Sequence, residues 1–474
     1  MYHRDMNAPL DLSLDLRSRR TLALQIHDAI GQAVREGRLE PGARLPSWRD
    51  LAAQLGVARG TVRAAYERLM DEQFLVSAGA AGTFVADRPP VEARPADRAI
   101  RPPLPGLFYD HGVEPLPFQM GVPAQDAFPF KLWSRLLAAA ARTAAAQPVS
   151  YPDPRGLPAL RQEIAATLGY ARGIACLPAQ VIVTAGFAGG LGLTLGALGM
   201  RGRRAWVESP GFPLTRLALE TGGVETVPVP VDARGLDVAA GRVLAPDAAL
   251  AVVTPGQQAP LGVTMTLERR LALLDWAGRT GGWVIEDDYL SELQLRGRAA
   301  PALASLDRAG RVIHIGSFSK TISPALRLGF IVVPAELAER FGDYAACLAP
   351  APGLEAQRAV ASFLAEGHYL RHLRRMKRLY VARADALSEA LRPHQGEGVV
   401  VHPMGGLAVR VDLPEGMDDG DVARRALAFG LAPVPLSGWY GESARRPGLL
   451  LGVTNVALAR IALDCDRLFG LIRR

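Results

Sequence analysis

The sequence predicts a multidomain chain: a small N-terminal α+β winged helix-turn-helix, then a large α/β domain with a mostly parallel sheet, ending in a small C-terminal α+β lobe. Three observations predict it. Two short amphipathic helical stretches meet at Gly56. A proline-rich stretch follows, with six prolines between Asp87 and Pro105. Beyond it, apolar strand-like runs alternate with helical ones. With 474 residues, 49% hydrophobic and 21% charged, the chain can bury a large core, and at roughly 100–200 residues per domain it has room for two or three.

Leu22, Ile26, Ile30 and Val34 recur every fourth residue, the stripe of a first helix. Gly37 and Pro41-Gly42 stop it. Ser47, with Asp50 three residues on, is a shortened capping box opening a second helix through Leu55. Gly56 breaks that helix, and a third runs from about Ala58 to Asp71 with Val62, Tyr66 and Leu69 inward. Phe74–Val76 and Thr83–Val85, separated by SAGAAG, read as a two-stranded wing. The boundaries that follow are a first domain at 15–87, a semi-stiff linker at 88–113 and a large domain at 114–474.

In the large domain, strands are expected at 181–184, 205–208, 250–253, 283–286, 312–315 and 329–333, with helices between most of them, hence a sheet covered on both faces. The Ala-rich 137–146 reads as an ordinary helix. The small lobe is expected from about residue 382 onward.

Composition excludes several classes. No apolar stretch approaches the ~20 residues of a membrane span, and the first twenty residues hold no signal-peptide core. Cys176, Cys347 and Cys465 have no metal-ligand spacing. The expectation is a cytoplasmic, reduced protein with no membrane partner and no metal. Net charge is +7, from 54 basic and 47 acidic residues, a mild hint only. Lysine occurs three times, at 131, 320 and 377, so a catalytic amine has three candidates.

Arg59, Thr61 and Arg63 open the third helix and point away from its apolar stripe. A recognition helix puts its early residues on base edges, and arginine serves guanine and phosphate alike. Ser47 and Arg49, early in the second helix, are candidates for backbone contacts. Residues 1–88 hold twelve arginines against eleven acids, so placed side chains rather than gross charge must carry double-stranded DNA binding. The bland alternative is a protein-binding winged helix with solvated arginines. The text GRLEPGARLPSWRDLAAQLGVARGTVRAAYERL, then GTFV, resembles the GntR superfamily of winged-helix repressors. Departures are Trp48 for a small or acidic residue, Gln73 where glycine is common, and Ala80-Ala81 in the usually Gly-rich wing.

A second set of residues falls at the carboxyl ends of successive strands, where open α/β sheets bind ligands. Lys320 follows a strand in Gly-Ser317-Phe-Ser319-Lys320. Asp287 and Tyr289 end another. Arg327, Ser317 and the turn Gly186-Phe187-Ala188 before a helix suit a phosphate, and Phe212 offers a stacking face. Each signal alone is ordinary; together and in this order they match what pyridoxal phosphate needs. These needs are an amine for the Schiff base, a carboxylate on the ring nitrogen, a donor to the ring oxygen, an anion cradle and a flat apolar face.

That order resembles fold-type I aminotransferases, and with the winged helix in front it resembles the MocR subfamily of GntR regulators over nearly the whole chain. Supporting text includes FQMGVPAQDAFPFKLW, YPDPRGLPALRQEIA, TPGQQAPLG, WVIEDDYLSEL and IGSFSKTISPALRLGF. The resemblance implies Lys320 as the Schiff-base lysine, Asp287 at the ring nitrogen, Tyr289 at the ring oxygen and Gln258 near the ring. It also implies Tyr151 reaching the cofactor phosphate of the neighbouring subunit in a domain-swapped homodimer. Departures are Gln257 in the usual His-Gln pair, Phe187 and Ala188 for a hydroxyl residue and glutamine, and Leu450 where aminotransferases place the arginine that grips a substrate carboxylate. Arg410 or Arg446 can take that part, though an arginine in such a place is more often a solvated surface residue. The expected function is a pyridoxal-phosphate-dependent transcription regulator that senses an amine, an amino acid or the cofactor itself. The alternatives are a working aminotransferase with an appended DNA-binding domain, or a regulator whose site has decayed.

Overall fold

A computed structural model describes residues 12–16, 18, 20–89, 114–146, 150–297, 299–396, 398–402, 406–441 and 445–473. All but the first two residues of the expected linker lie outside these. The chain divides into two compact units, Met1–Leu104 and Pro105–Arg474.

In the first unit, α1 (Leu22–Arg35), α2 (Trp48–Leu55) and α3 (Arg59–Asp71) pack around Ile26, Ile30, Leu51, Val62, Tyr66 and Leu69, all buried. Ser47 caps α2: its Oγ accepts from the Asp50 amide at 3.2 Å and donates to the Asp50 carboxylate at 2.7 Å. The expected wing is present as β2 (Leu75–Ser77) and β3 (Thr83–Val85), and β1 (Arg44–Leu45) joins it in the antiparallel order β1-β3-β2. Two-residue β1 was illegible in the sequence because it pairs through backbone groups and has no alternation to read. Gln73 sits at φ +61, in the left-handed region where glycine is favoured.

The second unit begins with α4 (Phe130–Ala145) and α5 (Pro158–Arg172), then builds one eight-stranded sheet. Its strands and helices follow as β4 (Val181–Thr184), α6 (Gly186–Leu198), β5 (Arg204–Ser209), α7 (Pro213–Thr221), β6 (Glu225–Asp232), β7 (Gly235–Leu236), α8 (Val238–Leu244) and β8 (Leu250–Val253). They continue with α9 (Leu267–Thr280), β9 (Trp283–Asp288), β10 (Val312–Ser317) and β11 (Gly329–Val332). The spatial order is β4-β11-β10-β9-β8-β5-β6-β7. Strands β10, β9, β8, β5 and β6 are parallel; β11 runs against β10 and β4, so β4 shares the common direction. All six expected strands are present, and β6 with its short hairpin partner β7 is added. Strand β6, ETVPVPVD, carries two prolines, which argue against a strand by local rules; it is tolerated beside the sheet's edge.

Apolar side chains cover both faces: Ile182, Leu191, Val207, Val252 and Ile313 on one, Trp206, Val229, Ala251, Val284 and Val312 on the other. Helix α6 presses close, for a Cβ on Gly190 would stand 2.9 Å from Ile331. Helices α10 (Ala338–Leu348), α11 (Leu354–Ala365) and α12 (His368–Leu391) follow. Helix α12 runs unbroken through Ala382, so the lobe begins after it rather than there. The lobe is a four-stranded sheet of β12 (Val400–Val401), β13 (Ala408–Asp412), β14 (Val434–Pro435) and β15 (Gly448–Gly452), ordered β12-β13-β15-β14, with α13 (Asp419–Leu427) and α14 (Ile461–Ile472). No helix among the described residues is long and apolar enough to cross a membrane, and no His/Cys/Asp/Glu group among them is arranged to hold a metal.

Candidate functional site

Because β4, β5, β8, β9 and β10 run the same way, the loops after them meet at one sheet edge. Strand β11 runs the other way, so it begins at that edge, delivering Arg327 from the opposite direction. Register fixes the neighbours: Ile315 pairs with Asp287 and Gly316 with Asp288 across β10 and β9. Lys320, three residues beyond β10, donates from Nζ to the carbonyl of Gly121 at 3.0 Å. A Cβ on Gly121, whose φ is +86, would stand 3.0 Å from Nζ. Glycine there keeps both the turn and the space around the amine.

Electrostatics tie these groups together. Burial pushes the Lys320 amine below its ordinary range, while Asp287 pulls it back. Burial drives the Asp287 carboxyl well above its usual range, and the charges of Asp288 and Glu208 drive it further. Lys320 offsets this only in part, so a further cation would favour the charged carboxylate. Burial also raises the Tyr289 hydroxyl, with Asp287 adding to it, so the phenol stays a donor.

At the far side, Gly186 opens α6 at φ +74, and its short turn is held by Thr184 Oγ1 donating to the Gly186 carbonyl at 3.1 Å. The Arg327 guanidinium donates to the Ala185 carbonyl at 3.3 Å, and a Cβ on Gly186 would be 3.9 Å from it. Arg327 itself is left-handed, φ +48, a conformation that costs a non-glycine residue about 1–2 kcal/mol. Ser317 Oγ accepts from the Ser319 amide at 3.2 Å, forming the tight turn that precedes Lys320. Phe187 is half-buried and Ala188 exposed, so the α6 end offers free amides with little side-chain cover.

A pocket at the same edge is lined by Glu208, Ser209, Phe212, Arg216, Thr254 and Asp287. Phe212 packs at 5.6 Å from Trp439 in a tilted pair. Glu208, whose sequence signal is only that of a strand residue, accepts from the Thr254 hydroxyl at 2.6 Å and amide at 3.1 Å. Burial outweighs those bonds and raises its carboxyl to about 7. Leu450 is fully buried in an apolar cluster with Ala259, Leu436 and Trp439, against which Phe212, Tyr289 and Tyr440 pack. An apolar wall therefore stands where aminotransferases place a carboxylate grip. Arg410 pairs with Leu450 across β13 and β15 but is engaged by Asp412 at 3.0 Å and His402 at 2.8 Å. Arg446 is exposed.

The two adjacent glutamines have different surroundings. Gln258 donates to the carbonyls of Pro210 at 2.8 Å and Ala259 at 2.7 Å, and accepts from Leu261. It braces the loop and keeps no amide hydrogen for a ligand. Gln257, buried, leaves its Oε1 without a hydrogen-bond partner among the described residues. Behind the edge, His314 Nδ1 lies 3.0 Å from Glu286 and Arg172 Nε donates to Asp288 at 2.7 Å, a buried network holding β9 in place. Tyr151 is fully exposed and touches nothing at this edge of its own unit.

In the first unit, Arg59 and Arg63 are exposed on α3 and Thr61 is half-buried. Arg63 bonds Glu67 one turn on at 2.7 Å, and Arg49 stacks over Trp48 at 4.8 Å. The Ser47 hydroxyl is committed to its cap.

Residues 22–85 match the family model described as bacterial regulatory proteins, gntR family, and residues 124–417 that of aminotransferase class I and II. Over 91% of its length the chain is 35% identical to a protein described as "Probable rhizopine catabolism regulatory protein MocR" of Rhizobium meliloti, covering 90% of that protein. The chain is a MocR-type regulator of the GntR family. This MocR-type chain is also 33% identical to the pyridoxine biosynthesis transcriptional regulator PdxR of Corynebacterium glutamicum, over 94% of one and 95% of the other. Its second unit shares the fold of the α-aminoadipate aminotransferase of Thermus thermophilus, solved with N-(5'-phosphopyridoxyl)-L-leucine. That likeness has a TM-score of 0.68 and 27% identity, covering 76% of this chain and 92% of that one. The aminotransferase-like fold is present in a chain whose full-length relatives are regulators.

Proposed function

We propose that this MocR-type regulator binds operator DNA through residues 15–87 and senses an amino compound, or pyridoxal phosphate itself, through residues 114–474. One observation carries the reading: an amine lowered by burial, a carboxyl raised by burial beside it and an arginine beside a helix start lie at one sheet edge. The residues fit pyridoxal phosphate. Lys320 would hold it, Asp287 would face its ring nitrogen and Tyr289 its ring oxygen. Arg327, Ser317, Ser319 and the 186–188 turn would cradle its phosphate, and Phe212 would cover the ring. When bound, pyridoxal phosphate supplies an aldehyde and an electron-withdrawing ring to which an amine can add. Lys320 contributes a neutral amine, which its lowered basicity favours, and Asp287 a negative charge kept out of water. In place of Gln258, Gln257 is the amide with an oxygen still to be satisfied.

The fully exposed Tyr151 supports a homodimer in which it reaches the neighbouring subunit's cofactor phosphate. The apolar wall around Leu450 supports an amine effector over steady turnover of amino acids. A ligand that binds two conformations of the effector domain unequally shifts their populations and with them DNA binding. The test is the visible spectrum of the purified protein titrated with amino acids and amines, with keto acid assayed in the same tubes. A band shift without keto acid, and its loss in Lys320→Ala with DNA affinity kept within a few-fold, is the expected result. Keto acid accumulating steadily would make the chain an aminotransferase first; a ligand response surviving Lys320→Ala would overturn the sensing route.

A further inference from the structure

The first half of α12 carries RHLRRMKR. Arg371, Arg374, Arg375 and Arg378 fall at i, i+3, i+4 and i+7, so they share one helix face. All four are exposed, while Leu373, Met376 and Tyr380 bury the opposite face. Arg371 turns back to the Glu366 carbonyl at 3.1 Å. Arg374, Arg375 and Arg378 have no ion-pair partner among the described residues.

Local helix energetics oppose this arrangement. Like charges stand at i,i+4 twice, 371 with 375 and 374 with 378, and each such pair destabilises a helix. The cations lie toward the positive end of the macrodipole, while the helix's own acids, Asp385 and Glu389, lie toward its negative end, the reverse of the favourable order. The first turn of α12 contains no acid and the last no base. Neither helix stability nor internal pairing accounts for the stripe, whereas a polyanion would offset its repulsion.

We infer that this face of α12 is a second duplex-DNA contact, on the effector domain, that grips phosphates without reading bases. It rests on the proposed DNA binding and adds to it a surface outside the winged helix. The chain already needs duplex DNA as partner, and DNA matches the stripe in charge density. Seven residues of helix span about 10 Å, a length over which duplex DNA carries about six phosphate charges. Arginines with no acidic neighbour can release counterions from that strand at no cost in broken ion pairs.

The test uses the full-length protein and a 60-base-pair random-sequence duplex, with affinity measured across salt. Alanine at all three unpaired arginines (R374A/R375A/R378A) is expected to lower the slope of log affinity against log salt by about 2.7. Affinity near 0.1 M salt should fall at least tenfold. Lysine at the same positions should restore most of the slope, because phosphate contact needs charge more than the guanidinium fork. An unchanged slope in the alanine variant, with Arg59→Ala/Arg63→Ala still weakening binding, overturns this inference alone. No DNA binding by the wild type overturns the proposed function and this inference together. Loss of binding to phosphatidylglycerol vesicles with the DNA slope intact, or an altered oligomeric state in sedimentation, would assign the stripe elsewhere and overturn it too.

Discussion

Asp287 and Glu208 line one pocket, and the charge of Glu208 adds to the tendency of Asp287 to hold a proton. Glu208 was legible only as part of a strand, since nothing in Trp-Val-Glu-Ser reveals that Thr254, forty-six residues on, will hold its carboxylate. Its pH dependence has a definite sign. The folded carboxyl titrates at about 7 and the unfolded one at 4.5, so the folded state holds the extra proton between those values. Stability is therefore lost as pH rises through that window. Relative to Glu208→Gln, the cofactor-free wild type should weaken by up to a few kcal/mol between pH 5 and 8, read as urea midpoints. A constant difference between the two proteins would refute the assignment. The placement of Lys320, Asp287 and Tyr289 at or just past strand ends of one sheet was legible, because the strands before them are largely apolar runs. Which of Gln257 and Gln258 braces the loop was not, because adjacent identical side chains differ only in which carbonyls the folded loop presents.

At the scale of elements, the recognition unit depends on a cap. Ser47→Ala removes the Oγ acceptor of the Asp50 amide and should cost about 1 kcal/mol. Faster hydrogen exchange at the first turn of α2 would report it, and unchanged protection would show that water replaces the cap without loss. Arg63→Ala breaks only an exposed i,i+4 pair with Glu67, worth about 0.3–0.5 kcal/mol. The folded protein should keep its melting temperature within a degree or two, while DNA affinity falls several-fold; equal loss of both would mean that Arg63 is structural. The helices of this unit were read within one residue of their bounds, since amphipathic stripes and caps are local signals. Gln73 shows the same logic in reverse: the turn after α3 demands a left-handed residue because the Phe74 amide returns to the Leu69 carbonyl at 2.8 Å. The usual glycine marks the turn even when absent.

For the whole molecule, the proposed swap of Tyr151 between subunits makes a prediction that no single variant does. Homodimers of Lys320→Ala lack the amine and those of Tyr151→Ala the cross-subunit phenol, so each should bind cofactor weakly or not at all. Mixed under exchanging conditions, hybrids regain one complete site, and up to a quarter of all sites should recover the absorbance band. No recovery after confirmed exchange would place Tyr151 in its own subunit's service or none. The reading of a sheet edge as the site also belongs to this scale, because strand order 4-11-10-9-8-5-6-7 brings residues 186, 287, 320 and 327 together across some 140 positions of sequence.

The sequence alone determined the two domain classes, the winged helix, six strands of the large sheet and which chemical side chains stand at or just past the strand ends. Each of these rests on periodicity, on capping or on a chemical side chain placed next to a strand end, and all such signals act over a few residues. Only the tertiary structure decided that β11 runs backwards to bring Arg327 against Gly186, that Glu208 is lifted by burial, that Gln257 rather than Gln258 stays unsatisfied, and that Leu450 closes an apolar wall. Those outcomes depend on desolvation and on long-range neighbours, which exist only after distant segments have packed.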